Sequence, residues 1–316
     1  MLAVPKLILQ NRAGRVKFPR RPADRGDVGP VVSSGLELRE RALKGLDRLP
    51  PFSAILNRLL ASLAREDVSF AELASLIEKD TVLAGNVLRL VNSALYSLPG
   101  TVNSVRHAVA ILGLVKLRNV LLGMTISRLW RTVRTPPSWS TAQFNLHSVA
   151  VATLADLLVE VVPAPYAEGA FVAGLLHDLG KLLWAVSLPA EFRSLWLALG
   201  RGEGDWAHCE RALAGWDHAE LSGEALARWN LPEPIRRAVR FHHAPELARD
   251  GELDLAHVVH AANLLAADLG YAMLPPGVEP SHSASLALEA LGVTEVVPSL
   301  LQRFHTELEA IQAMLG

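Results

Sequence analysis

From Leu36 to its end, the apolar residues of this chain recur at three- and four-residue spacing, the period of helices with one buried face. Ser69-Phe70-Ala71-Glu72 sets a Ser and a Glu three apart as a capping box, and Leu73, Leu76 and Ile77 follow on one face. Asp80 can cap the next helix, which carries Leu83, Val87, Leu90, Val91 and Leu95. Ser104 can cap a third, with Val105, Ala108, Val109 and Leu112, before Gly113 breaks or bends the chain ahead of Leu114 to Trp130. No alternating Val/Ile/Thr run and no Asn-Gly hairpin stands out, so the pattern predicts an all-α protein.

Pro136 and Pro137 remove two backbone donors and disfavour helix before them. The expected organisation is therefore a tail over residues 1–35, a helical lobe over 36–135 and a second helical lobe over 139–316. In the second lobe the pattern predicts helices near 140–162, 167–186, 189–200, 205–229, 232–242, 252–270 and 296–315. Three prolines between Leu274 and Ser285 predict a surface loop.

Charge changes the picture only at the start. The chain carries a net −1, but residues 1–30 hold seven basic side chains against Asp24 and Asp27, a net +5 that leaves −6 for the rest. The body therefore has no general attraction to nucleic acid or to membranes. The tail could touch a nucleic acid or an acidic partner, in which case binding would weaken with salt and vanish on deleting residues 1–30. Cys209 is the single cysteine, so no intrachain disulfide forms, which fits a reducing cytosol. No uninterrupted apolar run reaches the roughly 18 residues of a membrane span, and the charges near the start follow the apolar stretch, the wrong order for a signal peptide.

The chemistry concentrates on His177-Asp178, an imidazole and a carboxylate inside the apolar run Phe171 to Lys181. A carboxylate there needs a partner or a cation, and a His-Asp doublet near further histidines is a way to hold a divalent metal and act on a phosphate ester. Of the 11 histidines, His147, His218, His242 and His243 are the other main candidates, with His208 weaker. Neighbours on a continuous helix point about 100° apart, so His177 and Asp178 would meet one ion only between their directions. Each candidate also has a plain reading. His147 could be a satisfied core residue, His218 an exposed imidazole at a helix start, His242 and His243 a helix C-terminal cap, and Lys181 a phosphate contact or a solvated ammonium. Gly174 to Lys181 imitates a phosphate loop but has five residues between its glycines and lacks the Ser or Thr that follows the lysine.

The ordered set of motifs resembles the HDOD family. Leu46-Asp47-Arg48-Leu49-Pro50-Pro51, Ile77 to Leu83, Leu88-Arg89-Leu90-Val91-Asn92-Ser93-Ala94-Leu95-Tyr96 and Ser104 to Gly113 are similar to its first lobe. Ala170 to Lys181, His218-Ala219-Glu220, Trp229-Asn230-Leu231-Pro232 and His242-His243-Ala244-Pro245 are similar to its second. The likeness spans about residues 36–270. It implies an HD-like helical bundle for the second lobe and kinship with HD and HD-GYP metal phosphohydrolases. By this resemblance His147, His177, Asp178, His218, His242 and His243 take the places of metal ligands. Asn263 stands where an aspartate is expected, and the Gly-Tyr-Pro signature is replaced by Ala244-Pro245.

An asparagine offers a neutral carbonyl where an aspartate offers a charge, so affinity for a dication should fall. The resemblance thus implies a bacterial, cytoplasmic signal-transduction protein that acts as a non-catalytic binding or output module, with no cofactor expected and a divalent metal (Fe, Mn, Zn, Ni or Mg) as the exception. Its partners would be signalling proteins, with a nucleotide in second place and no membrane. The alternative is a phosphohydrolase that uses Fe, Mn, Zn, Ni or Mg, with Lys181 steadying the phosphate.

Overall fold

Side chains that can accept a backbone N–H stand at most helix starts. In a computed structural model, which describes residues 34–63, 70–93, 95, 96 and 98–315, Ser34, Ser53, Asp80, Ser104, Ser140, Asp205, Asp217 and Asp254 each accept an N–H from the first turn that follows. The helices are Gly35–Leu43 (α1), Ala54–Ala61 (α2), Phe70–Glu78 (α3), Thr81–Val91 (α4), Val105–Leu112 (α5), Leu114–Arg131 (α6), Thr141–Leu158 (α7) and Ala170–Leu176 (α8). Leu179–Ser187 (α9), Pro189–Gly200 (α10), Trp206–Ala214 (α11), His218–Arg228 (α12), Glu233–Arg240 (α13), Leu255–Ala266 (α14), Ser285–Ala290 (α15) and Val297–Leu315 (α16) complete the order. The protein is all-α, with no strand among the described residues. The basic N-terminal segment, the Ser69 cap and Ala94 of the first-lobe motif lie outside the described residues.

The central helix is α7, buried on nearly every side because Val149, Ala150, Val151, Ala152, Leu154 and Ala155 are apolar all round its circumference. It packs against α8, α14 and α16. Helix α6 meets α2, α5, α7 and α8, and α16 returns from the end of the chain onto α4, α6 and α7. Helix α1 lies against α9, α11 and α12. The axis bends by 112° between α5 and α6, at Gly113. Residues Ala167–Ser187 are long and apolar enough to cross a membrane by length and composition, but 94% of their most apolar window is buried against the rest of the protein, as in a core helix.

Two glycines let the helices that carry the histidines approach closely. A Cβ at Gly174 would stand 2.8 Å from Ala152 Cα, so only glycine lets α8 lie directly on α7. A Cβ at Gly180 would stand 2.2 Å from the His218 carbonyl oxygen, so α9 can touch the first turn of α12 only there. Ser222 ties the same contact, donating from Oγ to His218 O and accepting from Gly180 N, each at 2.7 Å.

The pattern expected fewer breaks than the structure has. The helix expected over 167–186 is interrupted at His177-Asp178, where Asp178 leaves helical geometry (φ −98°, ψ 11°). The one expected over 205–229 is two helices, separated at Gly215 in the left-handed region (φ 83°). Helix α14 ends at Ala266 and runs into a π-turn over Ala267–Tyr271. The proline-rich segment forms the expected loop, followed by the short α15, which periodicity over six residues is too brief to signal.

Candidate metal centre

Four helix ends and two helix bodies bring the candidates to one point. His147 projects from α7; His177 and Asp178 occupy the break between α8 and α9; Lys181 sits one turn into α9. His218 opens α12, and His242 and His243 follow α13. At this break, off the regular helix, His177 Nε2 and Asp178 Oδ1 come within 3.4 Å. His147 Nε2 lies 3.2 Å from His177 Nε2 and 3.2 Å from Asp178 Oδ2. On the other side of Asp178, His218 Nε2 lies 3.1 Å and His242 Nε2 3.9 Å from Oδ1, and His243 Nε2 is 2.8 Å from His218 Nε2. All six are brought together. His208 is exposed and stands apart from them.

The other ring nitrogens fix the tautomers. A carbonyl oxygen only accepts, so Nδ1 of His147, His177 and His242 must donate to Tyr271 O, Gly174 O and Val239 O, at 2.9, 2.7 and 2.7 Å. On His177 and His242, which burial keeps neutral, Nε2 therefore presents a lone pair inward. His147 Nε2 stands 3.2 Å from His177 Nε2, close enough for both to meet one cation. His242 Nε2 and Asp178 Oδ1 are buried and make no aligned hydrogen bond. Cis ligands at about 2.0–2.1 Å from one ion stand roughly 3 Å apart, the spacing seen here. Two groups of side chains can thus hold a metal ion, His147 with His177 and Asp178, and His218 with His242 and His243, each with ligand atoms within 4.8 Å of one another.

Glu210 is the residue that sequence reading missed. Its Oε2 accepts from the His218 backbone N at 2.7 Å and from His218 Nδ1 at 2.6 Å, which aims Nε2 at Asp178 and His243. The signal was present: Glu210 shares the buried face of α11 with Trp206, Ala207 and Cys209, and a carboxylate there needs a partner.

The charges follow from burial and pairing. Asp178 is fully buried; desolvation pushes its carboxyl up, but His177 and Lys181 outweigh that and hold it well below the usual carboxylate range. Lys181 Nζ donates to Asp178 Oδ2 at 2.6 Å and lies 5.2 Å over the Trp206 ring. Desolvation keeps His177 neutral, down to about 3, against the pull of Asp178. It also lowers His242 and His243 well below 6.5. His218 goes the other way: burial lowers it, but Glu210 prevails and raises it to about 9.

The Asn263 side chain lines a cavity of about 100 Å3 together with His147, Lys181, Trp206 and His243. Asp268, further along the same chain segment, is turned away to accept from Ser283 Oγ and Ala284 N.

Known proteins carry the same arrangement of helices. The HDOD domain profile matches residues 49–245, more than half of the chain. The chain belongs to the HDOD family. A solved HDOD protein of unknown function from Geobacter sulfurreducens is 25% identical, with a TM-score of 0.70 over 88% of this chain and 99% of its own. Two further structures share the fold: a candidate phosphohydrolase from Shewanella amazonensis SB2B (24%, TM-score 0.68, 87% and 98% covered) and a candidate signal-transduction protein from Marinobacter aquaeolei VT8 (21%, 0.67, 90% and 67%). An uncharacterised protein of Treponema pallidum (strain Nichols) is 25% identical over 84% of this chain, and the chain spans about half (52%) of that relative's length.

Proposed function

We propose that this HDOD protein is a signal-transduction module of a bacterial cytoplasm that acts by binding, with its buried histidine centre holding a divalent metal ion. The observation that carries the metal is the convergence of three Nδ1-pinned imidazoles on Asp178, with His242 Nε2 and Asp178 Oδ1 left without hydrogen bonds. His147, His177 and Asp178 form one ligand set and His218, His242 and His243 the other. The donor set of imidazoles and one carboxylate fits Fe, Mn, Zn or Ni better than Mg. Two observations support binding over turnover. The ligand side chains other than His243 are at most 3% exposed, and Asn263 puts a neutral amide into the adjoining cavity where the family resemblance expects an aspartate. The partner in this reading is another signalling protein, and a nucleotide is the second candidate.

Hydrolysis of a phosphate ester is the second reading, favoured by the position of Asp178 between the two histidine groups. A metal bound there would polarise a phosphoryl oxygen and acidify water; Asp178 would bridge the two sets and Lys181 would neutralise the phosphate. Turnover of bis(p-nitrophenyl) phosphate by the metal-loaded chain, abolished in Asp178→Asn, would favour this reading over binding alone.

Asn263→Asp supplies the missing negative charge at the edge of the cavity. Titration calorimetry with Mn or Zn is expected to show at least about a tenfold gain in affinity, within the 10–100-fold range that surrounding ligands exert on metal sites. An unchanged affinity would remove position 263 from the centre.

A further inference from the structure

The segment that follows the π-turn crosses the mouth of the centre. Residues 272–283 contain no helix and expose Pro276, Gly277, Glu279, Ser281, His282 and Ser283 to solvent. On their inner side lies the cavity of about 100 Å3 that reaches His147, Lys181 and Asn263. On their outer side a groove of about 900 Å3 runs past His208, Arg211, His243, His257 and His260. Asp205, His243, Leu264 and His282 line both spaces, and Asp205 Oδ2 meets His282 Nε2 at 3.2 Å as the hydrogen-bonded part of this partition.

The strap is anchored at its start by buried Met273 and Pro275, and hydrogen bonds hold it at further points. Gln143 Nε2 donates to Ala272 O at 2.9 Å and to Leu274 O at 3.4 Å. Trp206 Nε1 donates to Met273 O at 2.8 Å. At the far end Asp268 Oδ2 accepts from Ser283 Oγ at 3.0 Å and from Ala284 N at 2.9 Å. Gly270 and Gly277 take positive φ, 85° and 79°, and give the segment two points where the backbone turns without side-chain hindrance. The strap also begins at the centre itself, because His147 Nδ1 donates to Tyr271 O. Beyond Pro275 most residues are exposed, and a segment held there by a few bonds is a low-stability unit of the fold.

We propose that residues 272–283 are a gate. A space of about 100 Å3 is well below the roughly 300–1,000 Å3 of sites that take drug-sized ligands. A ligand of nucleotide size in the outer groove meets His243, and it reaches His147 and Lys181 only when the strap leaves its latches and the inner cavity opens into that groove. The proposal goes beyond the functional reading above and does not depend on which ion the centre takes.

The test uses the full chain stripped of metal with chelator and treated with diethylpyrocarbonate, with modification of each histidine followed by mass spectrometry. Exposed His107 and His305 serve as references. The gate predicts slow modification of His147 in the parent chain. It predicts about fivefold to tenfold faster modification in each of Gln143→Ala, Trp206→Phe and Asp268→Ala, the change in open population expected from losing a hydrogen bond or two. The melting temperatures should be nearly unchanged. His147 reacting as fast as His305 in the parent chain would overturn the gate. So would latch variants that leave its rate unchanged, or acceleration confined to variants whose melting temperature falls. A chain that takes up no metal yet shows gated His147 would lose the functional reading and keep the gate.

Discussion

Asp178→Ala is expected to destabilise the metal-free protein by about 3–5 kcal/mol, the usual cost of stranding one partner of a buried ion pair. Lys181 is 5% exposed, and its ammonium donates to Asp178 Oδ2 at 2.6 Å. Without the carboxylate, the Trp206 ring 5.2 Å away is a poor substitute for a counter-charge. The mutation also removes the acceptor beside His218 Nε2, at 3.1 Å. Lys181→Met should be destabilising for the converse reason, since it leaves the carboxylate with neutral imidazoles and His218. The double variant Asp178→Ala/Lys181→Met should recover more than half of the single-variant loss, because two neutral side chains of suitable volume fill the site without an unpaired charge. Urea denaturation of the four proteins closes the cycle. A loss under about 1 kcal/mol for Asp178→Ala, the size seen for exposed pairs, would mean that the pair is hydrated and that the centre is not the dry, charged cluster described above.

The metal-free protein should be most stable near pH 6.5 and fall away on both sides. His177 and His242 are fully buried and neutral in the folded protein, His177 titrating only at about 3 and His242 well below 6.5. In the unfolded chain both take up protons as pH drops below 6.5, so the unfolded state binds more protons in this window and stability falls with falling pH. Two such groups give a slope of up to about 2.7 kcal/mol per pH unit. Asp178 adds to the loss at the acid end: its contribution is complete above the unfolded value of 3.8 and disappears as pH falls toward its lower folded value. His218, raised to about 9, acts in the opposite sense. The stability from its pairing with Glu210 is complete below pH 6.5 and is lost as pH rises through 9, at up to about 1.4 kcal/mol per unit. Melting curves at pH 8.5, 6.5 and 5.0 should therefore show the middle value highest and a steep drop at 5.0. Equal melting temperatures at 6.5 and 5.0 would show that these imidazoles reach solvent.

The helical class, the caps at Asp80 and Ser104 and the bend at Gly113 were legible because each rests on residues adjacent in sequence. The six candidate ligands were legible as residue types, and their convergence only through the family resemblance, not from their spacing in the chain. The break that turns His177 and Asp178 toward one point depends on α9 meeting α12 at Gly180, a contact between segments some forty residues apart. Glu210 was missed because the pattern over 205–229 read as one helix, on which Glu210 and His218 do not face each other, whereas α11 and α12 separate at Gly215. The proline-rich segment was legible as a loop, whereas its place across the centre is set by side chains as distant as Gln143 and Trp206.

Metal content decides the central claim most directly. The full chain, purified anaerobically without chelator, should carry one or two equivalents of Fe, Mn, Zn or Ni by elemental analysis, and His177→Ala, still folded by circular dichroism, should lose most of it. Less than about a tenth of an equivalent in the parent chain, or the same content in His177→Ala, would contradict the account and leave the histidine cluster as a structural network alone.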